Sequence, residues 1–117
     1  SWIDFGRVAS LLRQEAPDLV VIEKVHSMPG QGVTSVFTFG LGFGGLIGVC
    51  AGSATPYSLV RPAEWQKKPF AGLDKKLGKA RSIQYVRQKY PECEPIHHHD
   101  GLADAAIIAE WGFSSNS

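Results

Sequence analysis

Apolar residues recur along this chain at spacings that predict alternating helices and strands. Those between Asp4 and Pro17 repeat at helical spacing, so Asp4 is expected to cap a first helix that ends near Pro17. The continuous apolar run of residues 19–22 is β-branched at three positions, which predicts a short strand buried on both faces. Glu23 follows this run directly, at the expected carboxyl end of the strand.

Residues 33–54 carry two conflicting patterns. The first seven have a strand-like composition, whereas Val36, Phe39, Phe43 and Leu46 fall on one face of a helix. The glycines of this segment lower its helix propensity, but they would allow a second helix to approach closely. We interpret the segment as a helix.

The rest of the pattern predicts one more strand and three helical segments. Residues 57–60 favour a second buried strand, and Pro62 opens a helical turn. A basic helix is expected over residues 75–89, and a last helix over residues 100–111 that Gly112 ends. This alternation is typical of an α/β fold with a parallel sheet. Two strands are too few for a sheet buried on both faces, so further strands are expected to be missing.

Basic residues are concentrated in one stretch of the chain. Of twelve lysines and arginines, nine lie between Arg61 and Lys89, where Glu64 and Asp74 are the acidic residues, although the net charge is +1. Such a basic block suits a surface that holds phosphates, while the acidic remainder suits cations. A solvated helix face is the alternative interpretation.

Composition limits the class of protein. The 117 residues suit a single domain over positions 1–117, and 44% hydrophobic residues give it a modest core. The sequence has no run of 18 apolar residues and no basic, apolar leader, so neither a membrane span nor secretion is expected. Cys50 and Cys93 lack CxxC spacing, which favours reduced thiols and a cytoplasmic location, with an organellar matrix as the alternative.

Three acidic residues form the leading candidate site. Glu23 ends a predicted strand, while Asp100 and Asp104 lie one helical turn apart on one face of the last helix. Functional sites in open α/β sheets gather beyond the carboxyl ends of strands, and ligands that are all oxygen favour magnesium or manganese. The alternative is helix capping, with Asp100 as the N-cap and Asp104 as a first-turn acid.

Two other motifs carry candidate chemistry. Residues 40–45 match GxGxxG, but a dinucleotide site also needs an acid about 20 residues further on at a strand end, and Glu64 instead follows Pro62. Three consecutive histidines precede the last helix, where a solvated loop is the default interpretation. The last of them, His99, is the best placed to reach the carboxylates.

Four motifs resemble those of RuvC-like Holliday-junction resolvases of phages and bacteria. The segment 21–32, VIEKVHSMPGQG, is similar to their hydrophobic strand, glutamate and loop, and the segment 100–112, DGLADAAIIAEWG, to their closing helix. Residues 57–67 resemble the strand and PxxWxK turn of the family, and residues 79–82, KARS, resemble its KxxS helix start. These motifs occur in the order of the family and cover nearly the whole chain.

The resemblance implies a ribonuclease-H-like α/β fold, a mixed sheet with flanking helices, of which this chain would lack the three N-terminal strands. Asp4 is then expected to cap a helix rather than to act as the first catalytic aspartate of the family. The implied activity is nicking of four-way DNA junctions by a homodimer, with Mg²⁺ or Mn²⁺, in DNA recombination and repair.

The resemblance also implies roles for single residues. Glu23, Asp100 and Asp104 match the catalytic metal ligands of the family, and Lys67 and Lys79 match basic positions that assist catalysis or hold phosphates. The residues expected to contact DNA are His26, Gln31, Lys67, Lys68, Lys75, Lys79 and Arg81.

Two other hypotheses come from different classes of protein. The basic block could serve a module that binds branched DNA without cutting it. The glycine-rich segment 40–45 could serve a nucleotide-binding α/β protein.

Overall fold

The first helix, α1, spans Phe5–Glu15 and is capped at both ends. The structure is a computed structural model that describes residues 3–24 and 30–115. The Asp4 carboxylate accepts the backbone N–H of Arg7 at 3.0 Å, which satisfies one amide of the first turn. Ala16 then adopts a left-handed conformation with φ 44° and ends the helix. The predicted first helix and its aspartate cap are therefore confirmed.

The two predicted strands are present and pair with each other. Strand β1 spans Val20–Glu23 and strand β2 spans Tyr57–Val60, and they form a parallel two-stranded sheet. The expected burial on both faces is wrong. Among these eight strand residues, all of them described, Ile22 and Val60 are the buried ones.

Helix α2 spans Val33–Gly52, as predicted from the helical pattern rather than the strand-like composition. One glycine of α2 serves close packing within the chain, because a Cβ at Gly45 would overlap the ring of Phe5 on α1. Four others repeat at every fourth position and would carry a Cβ into open space: Gly40, Gly44, Gly48 and Gly52.

Much of the apolar surface of α2 is exposed. Val33 is 88% exposed, Phe37 64% and Phe39 54%. Among the described helices, the 20-residue α2 is long and apolar enough to cross a membrane by length and composition alone, with a mean hydropathy of 1.7 over an 18-residue window. The segment contains no uninterrupted run of 18 apolar residues, because glycine, serine and threonine interrupt it, so the sequence pattern did not predict a span here.

The rest of the chain is helical. Helix α3 spans Pro62–Gln66, helix α4 spans Ala80–Lys89 and helix α5 spans Asp100–Ser115. Short 3-10 turns at Lys75–Leu77 and Glu94–His97 precede α4 and α5 respectively. The apolar side chains that α3, α4 and α5 bury are Trp65, Val86, Ala103 and Ile107.

Two of the expected helix boundaries are wrong. The helix predicted from Lys75 is interrupted, because Gly78 takes a φ of 55° between the 3-10 turn and α4. The last helix does not end at Gly112, which is buried inside α5.

The expected ribonuclease-H-like mixed sheet is wrong for this chain. Helices hold 64% of the described residues, and the strands described form a two-stranded parallel sheet. Strands of four residues give little backbone pairing, and most of the buried apolar side chains lie on helices. The contacts divide the chain into an N-terminal unit, Ser1–Leu59, and a C-terminal unit, Val60–Ser117.

Candidate metal and nucleic-acid site

The N-terminus of α5 is capped by the residue that precedes its first aspartate. His99 Nδ1 accepts the backbone N–H groups of Gly101 at 3.0 Å and Leu102 at 3.4 Å. The lone pair of Nδ1 is therefore occupied, so the 4.0 Å separation between Nδ1 and Asp100 Oδ1 is not an ion pair. Asp100 is the first helical residue rather than the cap, which leaves its carboxylate available for another role.

Asp104 is a carboxyl of α5 whose pKa is raised above its ordinary value. It lies one turn after Asp100, is half-buried, and accepts a hydrogen bond from the buried hydroxyl of Ser82 on α4. Burial raises the pKa of Asp104, and the negative charge of Asp100 adds to the rise. The Ser82 hydrogen bond and the positive charge of Lys79 oppose it. The free carboxylate pair thus carries an electrostatic cost that a bound cation would relieve.

Lys79 is the positively charged residue that acts on the pKa of Asp104. It is the N-cap residue of α4 and is exposed to solvent. Its charge acts on Asp104, which lies on the neighbouring helix α5. A lysine and two carboxylates are therefore grouped at one surface of the C-terminal unit.

Glu23 has a different environment in the N-terminal unit. It is half-buried at the end of β1, as expected from the sequence. It lines a mainly apolar cavity of about 630 Å³ together with residues of α1, β1 and α2 that include Phe5, Ile22 and Phe43.

The oxygen donors of the C-terminal unit fit a hard divalent cation in part. Asp100 and Asp104 offer carboxylate oxygens alone, the ligand type that magnesium and manganese prefer. Among the residues described in either unit, however, no three histidine, cysteine, aspartate or glutamate side chains come together as a metal-binding group. The carboxylate pair is therefore a partial ligand set, which water and further donors would have to complete.

The lysines predicted to contact DNA lie on the surface of the C-terminal unit. Lys67 follows α3 as its C-cap residue, and Lys75 begins the 3-10 turn before α4. The exposed members of this set are Lys67, Lys68, Lys75 and Lys79.

Arg81 is held differently from the lysines. Its guanidinium lies 4.5 Å from the centre of the Phe70 ring, and its Nε donates to the Gly78 carbonyl at 3.2 Å. Phe70 in turn makes an edge contact with the buried Trp65 ring, with 5.6 Å between their centres. Arg81 is therefore oriented by the fold, whereas the four lysines are exposed to solvent.

Two predicted DNA contacts, His26 and Gln31, precede α2 in the sequence. His26 lies outside the described residues. The Gln31 amide donates to the Ser35 hydroxyl at 3.0 Å, so this side chain folds back onto the first turn of α2.

The GxGxxG segment does not form a phosphate-binding turn. Residues 40–45 lie inside α2, where their backbone amides take part in the helix. A dinucleotide fingerprint needs these glycines in the loop between a strand and a helix, with free amides facing the pyrophosphate. This geometry gives no support to the nucleotide-binding hypothesis.

The three histidines do not share one environment. His97 is buried and its Nε2 lies 2.8 Å from the Tyr90 carbonyl, so a solvated loop is the wrong description for it. His98 is exposed and lies 3.1 Å from Glu94. His99 caps α5, and its Nδ1 lies 4.0 Å from Asp100 Oδ1.

Ser82 belongs to the KARS segment of residues 79–82, but no role in the site was predicted for it. It lies four residues before Val86, and both are buried on the face of α4 that packs against α5. A serine on the apolar side of an amphipathic helix is the signal that could have drawn attention to it, since a buried hydroxyl requires a partner.

Neither the scan against protein-family models nor the search of curated proteins finds a match for this chain.

Proposed function

We propose that this chain acts in the metal-dependent cleavage of branched DNA, as RuvC-like junction resolvases do. The observation that carries the proposal is the Asp100–Asp104 pair on α5. Asp104 is half-buried, and its pKa is raised by burial and by the neighbouring carboxylate. The four family-like motifs that cover the chain support the same activity.

The donor chemistry of the pair supports magnesium or manganese as the cofactor. A bound divalent ion supplies positive charge to the attacking and leaving oxygens of a phosphodiester. Asp100 and Asp104 would hold such an ion through carboxylate oxygens. Glu23 is also proposed as a catalytic acid, on the ground that it ends β1 within a family-like motif.

The basic residues have a separate proposed task. Lys79 and Lys67 would offset the negative charge of the scissile phosphate, while Lys68, Lys75 and Arg81 would hold neighbouring phosphates. This assignment is supported by the exposure of the four lysines and by the action of the Lys79 charge on Asp104. Contacts of this type position DNA without reading its sequence.

We also propose that the chain works as a homodimer joined through α2. Small residues let two helix backbones approach closely. Gly40, Gly44 and Gly48 repeat at helical spacing, and a Cβ at any of them would point into open space. Val33 and Phe37 extend this exposed face toward the N-terminus of α2.

A second candidate function is recognition of branched DNA without cutting. It is favoured by the partial ligand set, since no group of three metal-binding side chains forms within either unit among the residues described. The basic residues alone would then carry the activity through phosphate contacts.

Nicking of a synthetic four-way junction separates the two functions. The cleaving enzyme produces nicks with Mg²⁺ or Mn²⁺ and none with EDTA. A pure binding module shifts the junction in a gel under both conditions and leaves its strands intact.

A further inference from the structure

Ser82 connects α4 to α5, the helix that carries Asp100 and Asp104. It lies in the first turn of α4 and is 2% exposed. Its hydroxyl donates a hydrogen bond to Oδ1 of Asp104, which is 22 positions further along the chain. Since α4 and α5 pack along their length, this contact belongs to the interior of the C-terminal unit.

The direction of this hydrogen bond follows from the chemistry of the two groups. An ionised carboxylate accepts hydrogen bonds and cannot donate them, whereas a serine hydroxyl has one proton to donate. Away from water, each group would lose free energy without the other. The bond therefore occupies one lone pair of Oδ1 and restrains the plane of the Asp104 carboxylate.

A restrained carboxylate is better prepared to bind a cation than a freely rotating one. Hydrogen bonds to metal-binding side chains fix their orientation, and their loss typically weakens metal affinity by about 10- to 100-fold. The other lone pairs of Asp104, including those of Oδ2, remain outside the Ser82 contact.

We propose that Ser82 is a positioning residue that holds the Asp104 carboxylate in the orientation in which it binds a divalent cation. The inference rests on the proposed metal-dependent function. It adds that α4 contributes to cation affinity through a buried hydroxyl, besides placing Lys79 near the acids.

A matched pair of substitutions tests this role in the full 117-residue chain. Ser82→Thr keeps the hydroxyl, while Ser82→Val has nearly the same shape and lacks it, so the added methyl group affects packing alike in both. Affinity for Mn²⁺ is measured without DNA, by electron paramagnetic resonance of the free ion. Thermal melting of each variant reports its stability separately.

The expected result is that Ser82→Val weakens Mn²⁺ affinity by about 10- to 100-fold while Ser82→Thr stays near wild type. Equal affinity of the two folded variants would overturn the positioning role, even if both melt at lower temperature. Should the valine variant not fold, Ser82→Ala removes the hydroxyl without added volume and is compared with wild type in the same way.

Asp104→Asn separates failure of the inference from failure of the proposed function. If wild type binds Mn²⁺ and Asp104→Asn abolishes binding, the metal site stands, and the Ser82 variants decide the positioning role alone. If wild type shows no Mn²⁺ binding that depends on Asp104, the proposed metal site and the role of Ser82 are both refuted.

Discussion

Lys89 Nζ lies 2.6 Å from a carboxylate oxygen of Glu110, and this ion pair joins α4 to α5. Tyr85 donates to the other carboxylate oxygen at 2.8 Å, and Tyr90 donates to the same oxygen as Lys89. Burial alone would raise the pKa of Glu110, but the hydrogen bonds from Lys89, Tyr90 and Tyr85 together lower it. One half-buried carboxylate thus collects three donors at the junction of the two helices that carry the candidate site.

Stability of the C-terminal unit is expected to depend on Glu110 at low pH. The pKa of Glu110 is lowered in the folded state. The stabilisation that Glu110 contributes is therefore present above its unfolded pKa of about 4.3 and is lost as pH falls through its folded pKa. Glu110→Gln should lower stability by about 1–3 kcal/mol at neutral pH. The difference from wild type in thermal melts should shrink as the pH is lowered toward about 3.

Tyr90 gives the same network an alkaline limit. Its hydrogen bond to Glu110, and then burial, raise the pKa of Tyr90 to about 12. The stabilisation from this hydrogen bond is therefore complete below the unfolded pKa of about 10 and is lost as pH rises through the folded pKa.

Glu94→Gln is the matched control for Glu110→Gln, because Glu94 and its partner His98 are 77% and 63% exposed. A control that reproduces the pH dependence of Glu110→Gln would contradict this account.

Packing of α1 against α2 is expected to depend on a single glycine. Gly45→Ala should destabilise the protein by about 1–3 kcal/mol, because the new Cβ would overlap the Phe5 ring. Gly44→Ala meets open space and should stabilise α2 by about 0.5–1 kcal/mol through helix propensity. Urea denaturation at low protein concentration measures both, and equal effects of the two substitutions would refute the close contact with Phe5.

Dimer formation is expected to require the glycine face of α2. Gly44→Leu combined with Gly48→Leu should convert the dimer to a monomer without unfolding it, since both positions have open space within the chain. Gln14→Leu adds the same side chain at an exposed position of α1 and should leave the dimer intact. Sedimentation equilibrium is the measurement. A wild-type monomer, or a dimer that tolerates both leucines, would contradict the proposed interface.

Junction binding is expected to weaken as salt concentration rises. Lys79→Ala should lower affinity about equally for all junction sequences, because a phosphate contact carries no sequence information. The slope of log affinity against log salt should fall by about 0.9 for each phosphate contact removed. Arg7→Ala, on the exposed surface of α1, serves as the control with the same change of charge. An unchanged slope for Lys79→Ala would exclude it from the DNA surface.

Positions of helices and strands could be predicted largely from local signals. The Asp4 cap acts on Arg7, three residues away, and the two strands lie within one residue of the apolar runs that predicted them. The fold class could not be predicted in this way. It depends on how many strands pair across the chain, and the strands described form a sheet of two.

The candidate site could be predicted only where it depends on local spacing along the chain. Asp100 and Asp104 share a helix face by spacing alone, and the structure agrees. The partner of Asp104 could not be predicted, because Ser82 is 22 positions away and the contact exists only through the packing of α4 against α5. The Tyr85–Glu110 hydrogen bond spans 25 positions and escaped prediction for the same reason.

Cleavage of a four-way junction by wild type and Asp104→Asn shows whether the Asp100–Asp104 pair supports metal-dependent nicking. We expect paired nicks with wild type in Mg²⁺ or Mn²⁺, no nicks in EDTA, and a loss of activity of at least about 100-fold in Asp104→Asn with junction binding retained. Glu92→Gln, at an exposed position outside the carboxylate pair, should cleave as wild type does. Nicking that persists in Asp104→Asn or in EDTA would contradict the claim, and junction binding without nicking by wild type would favour the binding module.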